Sequence, residues 1–218
     1  MGKHPSIYKE KTMKFKDCGH TPLGLYPLVD RANKLETLYS LGITTAQLRI
    51  KDLQDQALEN EIIQAIQISK KYNARFFIND YWQLAIKHKA YGIHLGQEDL
   101  IETDLQAIHK AGIRLGVSTH TTKEIEMALE IEPSYLAIGP IFHTHSKIVN
   151  YDTVGIDELT KWSSNVPYPI VAIGGINLVN IQKVINITTI SGIAMISEFL
   201  EDGNISQKKT KKLLKIFS

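Results

Sequence analysis

The chain has a single cysteine, Cys18, in 218 residues. One thiol excludes an internal disulfide framework and fits a reducing compartment, so a cytoplasmic location is expected. Long apolar runs are also missing. No uninterrupted stretch approaches the roughly 18–20 residues that span a bilayer. Nor is one sign of charge in excess: 25 Lys and Arg against 23 Asp and Glu leave a formal net charge of +2. That gives no global attraction for nucleic acid or an anionic membrane, so any anion must be met locally. Met1 to His20 is basic and polar and lacks the apolar core of a secretory signal; it reads as a frayed extension. What remains is ordinary for a globular enzyme, 43% hydrophobic and 22% charged, and long enough for one large α/β domain or two small ones.

From Leu23 onward, short β-type runs alternate with amphipathic helical ones. Strands are expected at Leu25–Val29, Thr45–Ile50, Phe76–Ile78, Tyr91–Leu95, Arg114–Val117, Tyr135–Ile138, Pro169–Ile173 and Gly192–Ile196. Helical spacing marks the segments between them, as at Ile62, Ile63 and Ile66. Alternating strands and helices imply parallel pairing. Eight units without a composition break suit an α/β fold of the (β/α)8 TIM-barrel type, in a single domain over residues 23–218 after an extension at 1–22. A doubly wound open sheet has the same periodicity. The barrel is favoured because polar, reactive residues follow nearly every strand, as a ring of C-terminal loops requires.

Gln47-Leu48-Arg49-Ile50-Lys51-Asp52 places Gln47, Arg49 and Lys51 on one strand face. Two cations and an amide pack poorly but receive a diphosphate well, Arg with forked donors and Lys with a compact charge. The plainer alternative is a solvated edge. Asn79-Asp80 and Gln97-Glu98-Asp99 follow the third and fourth strands. Asp80 and Asp99, from adjacent strand ends, suit Mg2+, which takes a few carboxylate oxygens plus water and substrate phosphates. Helix capping by Asp80 and a turn role for Asp99 are the structural alternatives. After the sixth strand an irregular segment, Gly139 to about Gly155, has the length of a lid, and its Thr144, Ser146 and Lys147 suit phosphate oxygens. His143 and His145 lack a third partner for zinc. Gly174-Gly175 and Ile196-Ser197 follow the seventh and eighth strands, where barrels commonly bind phosphate through backbone N–H groups. Ser118 and His120 close the fifth strand, with His120 either a base or a polar rim residue. Cys18 lies outside the barrel pattern and is given no catalytic role.

In this order the motifs Leu25 to Asp30, Gln47 to Asp52, Ile78 to Trp82, His94 to Asp99 and Gly116 to His120 closely resemble the thiamine-phosphate synthase (thiamine-phosphate pyrophosphorylase) family, its enterobacterial branch especially. The resemblance runs from about Leu23 to the C-terminus. It implies a transferase of thiamine biosynthesis that joins 4-amino-2-methyl-5-(diphosphooxymethyl)pyrimidine to a thiazole phosphate and releases diphosphate. It further implies that Gln47, Arg49, Lys51 and Asn79 bind the pyrimidine diphosphate with help from Lys147, and that Asp80 and Asp99 hold Mg2+. Ser118 contacts the pyrimidine, Thr144 and Ser146 the diphosphate or thiazole side, and Gly174, Ile196 and Ser197 the thiazole phosphate. No side-chain nucleophile is needed; Arg49, Lys51 and Lys147 act electrostatically. Two positions depart from the family pattern. His143-Thr144-His145-Ser146-Lys147 replaces Pro-Thr-x-Thr-Lys, and Glu198 stands where a small residue is usual. A thiazole tautomerase using a histidine near His120, and a non-catalytic thiazole-phosphate-binding barrel, are the competing functions. The oligomeric state, a homo-oligomer included, stays open.

Overall fold

The computed structural model describes residues 13–144 and 152–217. Eight parallel strands close into a barrel in sequential order, β1 (Gly24–Val29), β2 (Thr45–Leu48), β3 (Arg75–Asn79), β4 (Gly92–Leu95), β5 (Arg114–Thr119), β6 (Tyr135–Ile138), β7 (Ile170–Ile173) and β8 (Ile190–Met195). The ring is completed where β1 pairs with β8, Gly24 opposite Gly192 and Tyr26 opposite Ala194. The open sheet is thereby excluded. Around it lie α1 (Asn33–Ser40), α2 (Asp55–Lys71), α3 (Trp82–Lys87), α4 (Gln97–Glu102), α5 (Leu105–Lys110), α6 (Thr122–Glu130), α7 (Gly155–Ser163), α8 (Ile181–Ile185) and α9 (Gln207–Phe217). None of these helices is long and apolar enough to cross a membrane.

The two-residue period of the strands sorts side chains between two apolar regions. Leu25, Val29, Phe76, Ile78, Ile93, Leu95, Leu136 and Ile138 face outward into the layer shared with the helices. There α1 presents Leu35 and Leu38 and α2 presents Ile62, Ala65 and Ile66 at helical spacing. Each fully buried leucine or isoleucine contributes about 1.5–3 kcal/mol, so this layer supplies most of the fold's stability. Tyr26, Leu28, Phe77, Tyr135, Ala137, Val171 and Ala194 point the other way and fill the barrel interior. Glycine at 116 lets Tyr135 cross that interior, because a Cβ there would come within 2.2 Å of the tyrosine ring.

Residues 13–22 do not fray. Phe15 N donates to Glu132 O, and the Phe15 ring meets His109 edge-on. Arg75 donates to the carbonyls of Thr21 and Pro22, Arg114 Nε to Asp17 O, and Tyr91 Oη to Cys18 O. Cys18 is buried inside the N-terminal mouth, so it belongs to the interior and not outside the barrel. The expected elements also lack α4 and a short antiparallel hairpin, β9 (Leu200–Glu201) with β10 (Asn204–Ile205). The hairpin had a signal: Asp202 and Gly203 both adopt positive φ, as an Asp-Gly turn does.

Candidate active site

The C-terminal mouth holds a cavity lined by Gln47, Arg49, Asn79, His94, Ser118 and His120 on one side. Strand register explains the gathering: Asn79 pairs with His94, and Gln47 with Phe77, so inward positions of neighbouring strands stack into one wall. β2 ends at Leu48, but its alternation continues. Ile50 is buried outward, Arg49 lines the cavity, and Lys51 emerges exposed at the rim. The expected three-residue face is therefore graded in depth, with Gln47 3% exposed at the bottom. Gln47 Oε1 is buried without a hydrogen-bond partner among the described residues. Such an orphan costs about 1–3 kcal/mol, which a bound donor would recover.

Lys51, Asp80 and Asp99 form a second cluster beside this cavity. Lys51 Nζ lies 2.6 Å from Asp80 Oδ2. Asp80 adopts φ 68°, a left-handed conformation that costs a non-glycine residue about 1 kcal/mol. Helix α3 is entered at Tyr81 with no side-chain cap, so Asp80 does not cap it. Asp99 Oδ2 accepts from Gly96 N at the start of α4, so the capping role expected of Asp80 belongs to Asp99. Burial, and then the negative charge of Asp80, hold the Asp99 carboxyl above its ordinary range. Two facing carboxylates are a suitable donor set for a hard divalent cation. Among the described residues no three His, Cys, Asp or Glu side chains converge, so water and substrate oxygens would supply the other ligands.

A second hollow adjoins the first, lined by Thr144, Gly174, Gly175, Ile196, Ser197 and Glu198. Thr144, Ile173, Gly174, Ala194 and Ile196 belong to both and form the shared wall. The Gly174-Gly175 pair also has a structural reason that local sequence does not show. A Cβ on Gly174 would lie 2.6 Å from Pro140 Cα, and one on Gly175 2.4 Å from His143 O. The pair lets the root of the β6–α7 segment lie against the β7 loop, where Ile141 N and Phe142 N donate to Ile173 O and Gly174 O. Glu198, the departure at the phosphate side, accepts from Leu178 N at 3.2 Å, an alternative use for its charge. Ser146 and Lys147 lie outside the described residues, as does His145.

Sequence reasoning missed four side chains here. His94 bonds Tyr135 Oη through Nδ1 (2.7 Å) and Ser118 Oγ through Nε2 (2.8 Å), and Tyr135 Oη in turn meets Tyr26 Oη at 2.9 Å. His94 and Tyr26 stand inside two of the family motifs, and their inward parity was the available signal. Glu124 is the fourth: its Oε2 takes both Nδ1 and the backbone N of His120, fixing that ring at the cavity edge.

Comparison with known proteins gives the family. The family model described as thiamine monophosphate synthase matches residues 25–199. The chain belongs to that family. The thiamine-phosphate synthase of Serratia proteamaculans is 51% identical over 176 residues, 80% of this chain and 82% of that protein. The Escherichia coli (strain UTI89) protein of the same name is 51% identical over 80% of this chain and 83% of its own length. Among solved structures, the thiamine phosphate pyrophosphorylase of Pyrococcus furiosus superposes with a TM-score of 0.78 at 30% identity, covering 89% of this chain and 95% of that one. The N-(5'-phosphoribosyl)anthranilate isomerase of the same organism, at 13% identity and a TM-score of 0.65, shares the fold alone.

Proposed function

We infer that the chain is a transferase that condenses 4-amino-2-methyl-5-(diphosphooxymethyl)pyrimidine with 4-methyl-5-(2-phosphooxyethyl)thiazole, giving thiamine phosphate and diphosphate. The observation that carries this reading is the pair of adjoining hollows with a common wall. A two-substrate condensation needs its partners side by side, and holding them so replaces an encounter in solution.

In this reading Gln47 and Ser118 hold the pyrimidine ring in the first hollow. Arg49, Lys51 and Asn79, with Lys147 of the β6–α7 segment, grip its diphosphate. The second hollow takes the thiazole phosphate at Gly174, Ile196 and Ser197; Thr144, on the wall common to both hollows, and Ser146 meet the diphosphate or thiazole side. The C–O bond to the diphosphate breaks, the electron pair leaves with it, and the thiazole nitrogen closes the new C–N bond. The aminopyrimidine ring delocalises the transient positive charge, so no protein nucleophile is required. Arg49, Lys51 and Lys147 match the charge that grows on the departing diphosphate, where fixed donors contribute most. Asp80 and Asp99 would hold Mg2+, which when bound supplies Lewis-acid neutralisation of that leaving group. Residence in the cytoplasm, a 1–22 extension and a 23–218 catalytic domain belong to the same reading.

The test is diphosphate release with both substrates and Mg2+, against each substrate alone and against EDTA. Release that needs both substrates and metal, with thiamine phosphate formed, is expected. Binding of the thiazole phosphate without release would sink the synthase and favour an isomerase acting at His120 or a non-catalytic binding barrel.

A further inference from the structure

The hydrogen bonds beneath the cavity form one continuous chain across five strands. Gln47 Nε2 lies 3.5 Å from Tyr26 Oη, Tyr26 Oη 2.9 Å from Tyr135 Oη, Tyr135 Oη 2.7 Å from His94 Nδ1, and His94 Nε2 2.8 Å from Ser118 Oγ. The four links run from β2 through β1, β6 and β4 to β5, and all five residues line the cavity. Tyr26, Gln47, His94 and Tyr135 are each under 10% exposed. Burial pushes both phenols up, so each keeps its single proton through the neutral range.

One sense of the chain gives every link a donor and uses each proton once. A phenol or a serine hydroxyl has one proton to give, and a neutral imidazole carries one N–H. With Gln47 Nε2 donating to Tyr26, Tyr26 donates to Tyr135 and Tyr135 to His94 Nδ1. His94 then donates from Nε2 to Ser118, whose own proton is left for the cavity. At the other end Gln47 Oε1, already without a partner among the described residues, is left as an acceptor. The cavity therefore presents an acceptor at Gln47 and a donor at Ser118. A 4-aminopyrimidine offers the reverse pair, an amine that donates and a ring nitrogen that accepts. A 4-oxopyrimidine, with a carbonyl and a ring N–H, would set an acceptor against Gln47 Oε1 and leave the Ser118 proton without an acceptor. It would need the Gln47 amide turned over and the Ser118 proton redirected.

We propose that His94, Tyr135 and Tyr26 are positioning residues that couple Gln47 to Ser118, so that the tautomer of His94 selects a 4-amino over a 4-oxo pyrimidine. The proposal rests on the synthase reading above. It assigns no contact with substrate to the three residues. They act through the two ends they align.

The experiment compares diphosphate release from the 4-amino substrate and its 4-oxo analogue, each with the thiazole phosphate. The wild-type ratio of kcat/KM is expected to exceed about 100-fold, since a site built around hydrogen bonds rejects an analogue that leaves them unpaired. Tyr135→Phe removes the donor to Nδ1 and is expected to cut that ratio at least about tenfold. Tyr26→Phe, which leaves the His94–Tyr135 bond in place, should also lower it. A merely structural role would lower both substrates together and keep the ratio. Nitrogen-15 NMR of the wild-type protein with the pyrimidine diphosphate alone supplies a second readout, with the His94 proton expected on Nε2. An unchanged ratio in the folded variants, a wild type that accepts both substrates equally, or a proton on Nδ1 would overturn the proposal. If neither variant folds, the NMR tautomer decides. Failure of the wild type to release diphosphate from the 4-amino substrate would instead overturn the synthase reading itself.

Discussion

The two mouths of the barrel use the same residue types to opposite ends. At the N-terminal mouth, Arg75 and Arg114 begin their strands and spend their donors on the carbonyls of residues 17, 21 and 22. Arg114 also stacks on Tyr91, 4.0 Å from the ring centre. At the C-terminal mouth, Arg49 follows the end of its strand and lines a cavity, with an orphaned Gln47 oxygen beneath it and two facing carboxylates nearby. One end is closed by the chain itself, and the other keeps polar groups for something the chain does not supply. Position along the strand, not residue type, separates stability from chemistry.

The contrast is sharpened most strongly at Asp99. Asp99→Asn should lower kcat/KM by about 10^2–10^3-fold, the range for losing one electrostatic element at a reacting centre. The thermal midpoint should stay within about 3 °C, since the asparagine side-chain oxygen can still accept from Gly96 N. A large fall in the midpoint without loss of rate would reverse the assignment of that mouth.

The opposite outcome is expected at Phe15. Removing its buried ring in Phe15→Ala should cost about 3 kcal/mol of stability in denaturant titration, with kcat/KM unchanged where the variant is folded. A rate that falls with stability intact would show that the closed mouth communicates with the open one.

The smallest effect concerns Cys18. Burial pushes its thiol up to about 11, although Arg114 and Arg75 favour the thiolate. A folded-state value raised above the unfolded one near 9 gives stability that is complete below pH 9 and is lost as pH rises toward 11. The loss amounts to about 2–3 kcal/mol, and Cys18→Ala should flatten that part of the pH–stability profile. The native thiol should also resist a thiol reagent at neutral pH.

Much of the architecture is legible in the order of the residues. Periodicity locates every barrel strand within two residues, because a strand buried on both faces reads as a short apolar run between segments of helical spacing. The unit count then puts Asp80, Asp99 and Gly174 at the C-terminal mouth. Local reading fails where the cause is not local. It misses α4, whose Gln97-Glu98-Asp99 reads as chemistry or a turn, and it does not show that the backbone of residues 140–143 lies against Gly174-Gly175. It also takes the N-terminal segment as frayed, since nothing within Met13 to Pro22 shows that Arg75, Tyr91 and Arg114 wait for its carbonyls.

Eight β/α units, the family, and the residue types at each strand end follow from the amino-acid order, because periods of two and 3.6 and an ordered set of motifs are properties of a linear string. Closure of the barrel, the plugging of one mouth, and the hydrogen-bonded chain from Gln47 to Ser118 arise only in three dimensions. Those depend on barrel register, which brings residues more than a hundred positions apart, such as Tyr26 and Tyr135, within hydrogen-bonding distance. No one-dimensional pattern encodes that meeting.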